Sequence, residues 1–162
     1  MPRISPSLPL SGWYVISLRP LGQHGAVRRG AAKLGARTFA LSTLRLSPLA
    51  AGEALSEALL CPRVLATSPA AVRHAAAQQR LRPRAGQQWF APGAGTAAAL
   101  RRAGVEHVHA PLLRTGAEAL LEEPLLQSLR GARVGLITAP GGRDHLQEEL
   151  RARGAKLSVA EV

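Results

Sequence analysis

Arg63-Val64-Leu65-Ala66-Thr67-Ser68-Pro69-Ala70-Ala71-Val72 is the stretch that decides the fold. Arg63 to Ala66 reads as a short strand, and the alanine-rich run from Ala70 to Arg80 reads as a helix. Between them, Thr67-Ser68-Pro69 supplies a hydroxyl N-cap and a proline at the first helical position, where its missing N–H does no harm. The same order returns downstream. Strand Gln88 to Ala91 meets the turn Pro92-Gly93-Ala94-Gly95-Thr96 and a helix over Thr96 to Ala103, closed by Gly104. Strand Ala132 to Thr138 meets Pro140-Gly141-Gly142-Arg143 and a helix over Arg143 to Arg153, with Gly154 after it.

Around these units the pattern predicts a helix from Glu53 to Leu60, a short strand from Val105 to Ala110 and a helix from Gly116 to Glu122. It adds a helical turn within Pro124 to Leu129 and a last strand from Leu157 to Val162. Short strands alternating with short helices imply βαβ units, a parallel sheet and helices on both faces. Upstream, Trp13 to Leu18 reads as a strand stopped by Arg19-Pro20, and a helix follows from Gln23 to Leu34 with Gly35 in the position that ends it. Arg37 to Leu46 reads as an extended connector ending at Ser47-Pro48.

The 162 residues, 46% hydrophobic, are long enough to bury a core. No apolar run approaches the roughly 18 residues of a membrane span. Met1 to Leu10 holds three prolines and an arginine and does not read as a secretory signal. The single cysteine, Cys61, excludes an internal disulfide and a cysteine zinc cage and fits a reduced, cytoplasmic protein. The net charge of +11 is almost all arginine, since Lys33 and Lys156 are the only lysines. That balance favours anionic partners. An aromatic content of 3% argues against the stacking platforms of single-stranded nucleic-acid binders.

Each of the three turns leaves backbone N–H groups free at a helix start, where the helix dipole also favours an anion. For Thr67-Ser68-Pro69 the alternative is a plain helix cap. Gly93-Ala94-Gly95-Thr96-Ala97-Ala98 also fits the G-x-G-x-x-A dinucleotide pattern. The acidic residue that pattern wants after the next strand is replaced by His109-Ala110-Pro111. Arg143 is a candidate carboxylate clamp or a solvated turn residue. His107 and His109 share a strand face without a third ligand, so they read as ordinary histidines rather than a metal site. No G-x-S-x-G elbow accompanies Ser68, Thr67 or Thr96.

Taken in order, these segments resemble the uroporphyrinogen-III synthase family. The matching stretches are Ser17-Leu18-Arg19-Pro20, Ala66-Thr67-Ser68-Pro69-Ala70-Ala71-Val72, Gly93-Ala94-Gly95-Thr96-Ala97 and Gly116-Ala117-Glu118-Ala119-Leu120-Leu121. Gly141-Gly142-Arg143 with Leu146 and Leu150-Arg151-Ala152-Arg153-Gly154-Ala155 complete the set. Pro92 stands where the family usually has valine.

The resemblance implies two flavodoxin-like α/β lobes, each a parallel sheet with helices on both faces, joined by a two-stranded linker. On that map residues 1–12 are a flexible extension, and 13–35 open a discontinuous first lobe. Residues 36–47 cross over, 48–157 form a complete second lobe, and 158–162 begin the return crossing. The remainder of the first lobe, with its tyrosine and second set of Ser-Pro and Gly-rich motifs, lies outside this sequence. Strand Tyr14 to Leu18 is therefore expected to have no sheet to join, and cyclase activity to be reduced or absent.

The resemblance also implies a hydro-lyase of porphyrin and heme biosynthesis that closes hydroxymethylbilane to uroporphyrinogen III with inversion of its last ring. It implies no metal or organic cofactor. The substrate's eight carboxylates suit the anion-friendly turns. No residue stands out as catalytic. Ser68 and Thr96, with the amides around Pro69-Ala70 and Gly95-Ala97, are the expected carboxylate donors, and Thr67, Gly142, Arg143 and Arg19 are further candidates. A cytoplasmic monomer is expected, with no nucleic-acid or membrane partner. A non-catalytic tetrapyrrole or polyanion-binding module is the alternative.

Overall fold

The computed structural model describes residues 8–141 and 144–162. The chain divides into two compact units, one within Met1–Ser47 and one over Pro48–Val162.

In the first unit β1 (Tyr14–Ser17), α1 (Gly25–Lys33) and β2 (Arg37–Ala40) form a βαβ element with parallel strands, Ile16 opposite Phe39. Two expectations change here. The opening strand does find a neighbour, and that neighbour comes from the stretch read as a connector. Alternating apolar and polar residues suit an extended linker and an edge strand equally, and the long-range pairing decides between them. Of the extension expected over residues 1–12, residues 1–7 lie outside the described residues. From residue 8 the chain is tied down, with the Leu10 N–H donating to the Leu34 carbonyl at 2.8 Å.

His24, just before α1, is buried between two serines. Ser42 Oγ donates to the Arg19 carbonyl (3.0 Å), so it must accept from His24 Nε2–H (2.7 Å). A neutral imidazole then accepts the Ser17 hydroxyl at Nδ1 (2.9 Å). The end of β1 and the chain beyond β2 are thereby fastened through one side chain.

The second unit holds α2 (Gly52–Leu59), β3 (Arg63–Ala66), α3 (Pro69–Gln78), β4 (Gln88–Phe90) and α4 (Ala94–Arg102). After these come α5 (Ala117–Leu121), β5 (Arg133–Thr138), α6 (Asp144–Ala152) and β6 (Lys156–Glu161). Its four strands are all parallel, in the order β4-β3-β5-β6. Val64 and Ala66 of β3 pack with Leu55, Val72 and Leu100, so α2, α3 and α4 cover one face. Leu65 and Leu136 pack with Leu120, Leu126 and Leu150, so α5, the turn Pro124–Leu126 and α6 cover the other. This is the expected parallel sheet with helices on both faces. Gly135 is required where α2 crosses β5, because any Cβ there would run into the Ala58 carbonyl oxygen.

The strand expected over Val105 to Ala110 is reduced to a single bridge, His109 beside Phe90. Glu106 and His107 are exposed, and Pro111 has no amide with which to extend the pairing. Residues 158–161, where a return crossing was expected, continue β6 in register with β5. From β3 the chain first winds outward to β4, then returns to place β5 on the other flank. The reversal of winding lies between β3 and β5, and open parallel sheets bind ligands just beyond the carboxyl ends of such a strand pair.

Candidate functional site

A hollow of about 520 Å³ opens at that reversal. Thr67 and Ser68 reach it from the end of β3, and Thr138 and Ala139 from the end of β5. Gly93 to Thr96 come from the start of α4, Thr115 and Gly116 from the loop before α5, and Leu146 and Gln147 from α6. Among the described residues no Asp, Glu, His, Cys, Lys or Arg lines it. The described lining is neutral, made of hydroxyls, one carboxamide and backbone amides over an apolar floor.

Ser68 is extended (φ −155°, ψ 158°) and caps α3, its Oγ accepting the Ala71 N–H at 3.1 Å. Accepting that bond leaves the hydroxyl proton free to donate outward. Capping and ligand binding, which compete as readings of the sequence, are therefore compatible. Thr67 is engaged differently. Its amide donates to the Ile137 carbonyl (3.0 Å) and its hydroxyl to Thr138 Oγ1 (3.1 Å), latching β3 to β5 at the floor of the hollow.

Thr96 carries the most information. The residue is 4% exposed and lines the hollow, and its hydroxyl is not among the buried unpaired polar atoms, so it opens onto the hollow. A hydroxyl that opens onto a hollow is free to pair with water or with a ligand there. Around it, Ala94, Gly95 and Thr96 itself hold the orphan amides of α4's first turn. Ala97 does not join them. Its amide donates to the Gly93 carbonyl at 3.1 Å and its side chain lies in the core. The reason is local: α4 begins at Ala94, ahead of the expected Thr96, so the set of free donors shifts towards the amino terminus.

Two glycines mark the close approaches between the turns. A Cβ on Gly93 would stand 3.0 Å from Thr115 Cγ2, a tight approach that glycine relieves where the loop before α5 meets the start of α4. A Cβ on Gly95 would find Pro69 Cγ at 3.9 Å as its nearest neighbour, which sets the first and second turns side by side. Ala139, Leu146 and Gln147 bring the third turn's flanks to the same hollow, while Gly142 and Arg143 lie outside the described residues. Arg19 belongs to the first unit, exposed after β1.

Thr138, Thr115 and Gln147 were not singled out from sequence. Thr138 was findable, since a hydroxyl ending the apolar run Val134 to Ile137 before a proline–glycine turn repeats the grammar of Thr67-Ser68-Pro69. The described residues contain no group of three or more His, Cys, Asp or Glu able to hold a metal ion. His109 Nε2 lies 2.7 Å from Gln88 Oε1 and its ring stacks on Phe90, a packing role.

Fold and site define an α/β protein of the open parallel-sheet class, with a neutral donor-lined hollow where the winding reverses. The sequence model of uroporphyrinogen-III synthase HemD matches residues 26–162, and the chain belongs to that family. The uroporphyrinogen-III synthase of Salmonella typhimurium is 40% identical over 104 residues, covering 60% of this chain and 41% of that protein. The Escherichia coli enzyme is 36% identical over 73 residues, covering 45% and 30%. The chain thus matches less than half the length of these curated relatives. A crystal structure of a mutant uroporphyrinogen III synthase from Thermus thermophilus superposes with a TM-score of 0.62, covering 92% of this chain and 61% of that one. The wild-type protein in another crystal form gives 0.55, covering 91% and 59%. At 24% identity those likenesses speak for the fold.

Proposed function

We propose that this chain serves the uroporphyrinogen-III synthase reaction of porphyrin and heme biosynthesis, in which hydroxymethylbilane is closed to uroporphyrinogen III with its last ring inverted. The hollow at the ends of β3 and β5 grips acetate and propionate arms of that substrate. The observation that carries this reading is the Thr96 hydroxyl, which lines the hollow beside the free amides of α4 with no carboxylate among the described lining. Ser68 adds a second hydroxyl donor, and Arg143, Gly142 and Arg19 are further candidate contacts.

The reaction, an acid-assisted loss of a hydroxyl followed by ring closure through a spiro intermediate, asks the protein mainly to fold and hold a flexible chain. Neutral donors suit that task. No cofactor is required on this reading. Residues 48–157 act as the family's second lobe, and residues 13–35 open its first. The described lining all belongs to one unit of one chain, so a monomer suffices for binding. The buried, unpaired thiol of Cys61 fits the cytoplasm. No helix among the described residues is long and apolar enough to cross a membrane.

A second reading is favoured by one observation: no titratable side chain among the described residues lines the hollow. On that reading the chain binds a tetrapyrrole or other polyanion without turning it over. Two measurements separate the readings. Titration with the product macrocycle should saturate at one site, with Thr96→Val weakening binding about tenfold, the value of one hydrogen bond to a charged group. Incubation with hydroxymethylbilane should enrich the type III isomer above a buffer control. Binding without enrichment favours the second reading, and binding indifferent to Thr96→Val removes the hollow from both.

A further inference from the structure

At the opposite ends of α3 and α4 lies a second, open hollow of about 550 Å³, lined by Arg80, Leu81, Arg82, Pro83, Arg102 and Ala103, with Gly104 at its edge. It is about 14 Å from the first along the nine residues of α4, at 1.5 Å per residue. Among the described residues, three arginines and no carboxylate line it.

Elsewhere in this unit arginines that hold structure are visibly engaged. Arg153 donates to the Leu121 and Leu126 carbonyls at 2.6 and 2.9 Å and lies 3.7 Å from Glu149, and Arg114 pairs with Glu122 at 2.7 Å. Arg80, Arg82 and Arg102 make no side-chain hydrogen bond or ion pair among the described residues. Two helices end here, and each carboxyl end carries roughly half a negative charge. Together they call for about one cation, so about two of the three positive charges are in excess. The three side chains share one open concavity, where a single anion can meet more than one of them.

We propose that this hollow is a second anion site, for an oligophosphate chain. Guanidinium forks match phosphate oxygens in pairs, and the excess charge calls for a multiply charged ligand. No aromatic ring among the described residues lines the hollow, so a nucleobase finds no stacking partner there. The phosphate chain itself is the recognised element.

The test is calorimetric titration of the full chain with inorganic tripolyphosphate at about 0.15 M salt, where loose ion-atmosphere binding is suppressed. Binding should weaken at least tenfold in the Arg82→Ala/Arg102→Ala double variant. Arg82→Lys, which keeps the charge and loses the fork, should give an intermediate loss. Thr96→Val, at the other hollow, should leave the affinity unchanged. The arginines are exposed, so circular dichroism and melting of the variants should match the parent chain. Equal affinity in the double variant, or binding confined to low salt, overturns the proposal. So does equal loss in Thr96→Val, or equally tight arginine-dependent binding of single-stranded DNA of the same charge.

Discussion

β1 and β3 are both four-residue parallel strands that lead into a helix, yet one is half uncovered and the other sealed. Val64, Leu65 and Ala66 of β3 are each 0% exposed, whereas Tyr14 and Ile16 of β1 are 55% and 64% exposed. Local sequence does not explain the contrast, since Tyr14-Val15-Ile16 is at least as strand-prone as Val64-Leu65-Ala66. Neighbours do. β3 has β4 and β5 on its flanks and helices over both faces. Among the described residues β1 has β2 alone, with Phe39 56% exposed across from Ile16 and stacked on Tyr14 at 5.1 Å. A parallel sheet becomes a core when both of its faces are covered.

The comparison breaks most visibly in the second unit. Leu136 of β5 is 1% exposed in the core that includes Leu65, Phe90 and Leu120. Leu136→Ala leaves a cavity in a sheet covered on both sides, with little freedom to collapse. The expected loss is about 2–5 kcal/mol by denaturant unfolding. A loss below about 1 kcal/mol would mean that this sheet is as loosely held as the first.

His24→Ala should have the next largest effect, and it should be local. The substitution removes two hydrogen bonds and leaves the buried Ser17 hydroxyl without its acceptor, at about 1–3 kcal/mol. Amide hydrogen exchange should quicken across β1 and β2, while β3 and β5 keep their protection. Equal loss of protection in both sheets would show that the two units unfold as one. A Gln at the same position, able to donate and accept, should restore part of the protection.

What the sequence made legible follows the same division. β3 and the start of α3 were readable because a strand, a hydroxyl cap and a proline stand in adjacent positions, and their meaning is local. The same grammar singles out Ser68, Thr67 and Thr96, which line the hollow. Ala97 was misplaced because a helix start read two residues late moves every free amide with it. β2 went unread because its status depends on pairing with β1, across the length of α1. Thr115 and Gln147 come from other elements, and only the reversal of winding after β4 brings them to Thr67 and Thr96. Sequence spacing along one segment cannot announce that meeting.

Ile16→Thr is the smallest change and the sharpest test of the contrast. Threonine keeps the β-branch, so strand propensity is little altered and the substitution reads burial alone. On a face as exposed as that of Tyr14, Ile16 and Phe39 the stability should move by no more than about 0.5 kcal/mol. The same chemistry at Val64, where no water reaches, should cost about 1–3 kcal/mol through an unsatisfied hydroxyl. If Ile16→Thr instead costs as much as Val64→Thr, the β1–β2 face is covered in solution. The difference between the two sheets would then lie in what covers them rather than in whether they are covered. If the two diverge as expected, strand formation and core formation are separable steps in this chain, the first set by local residues and the second by the number of neighbours.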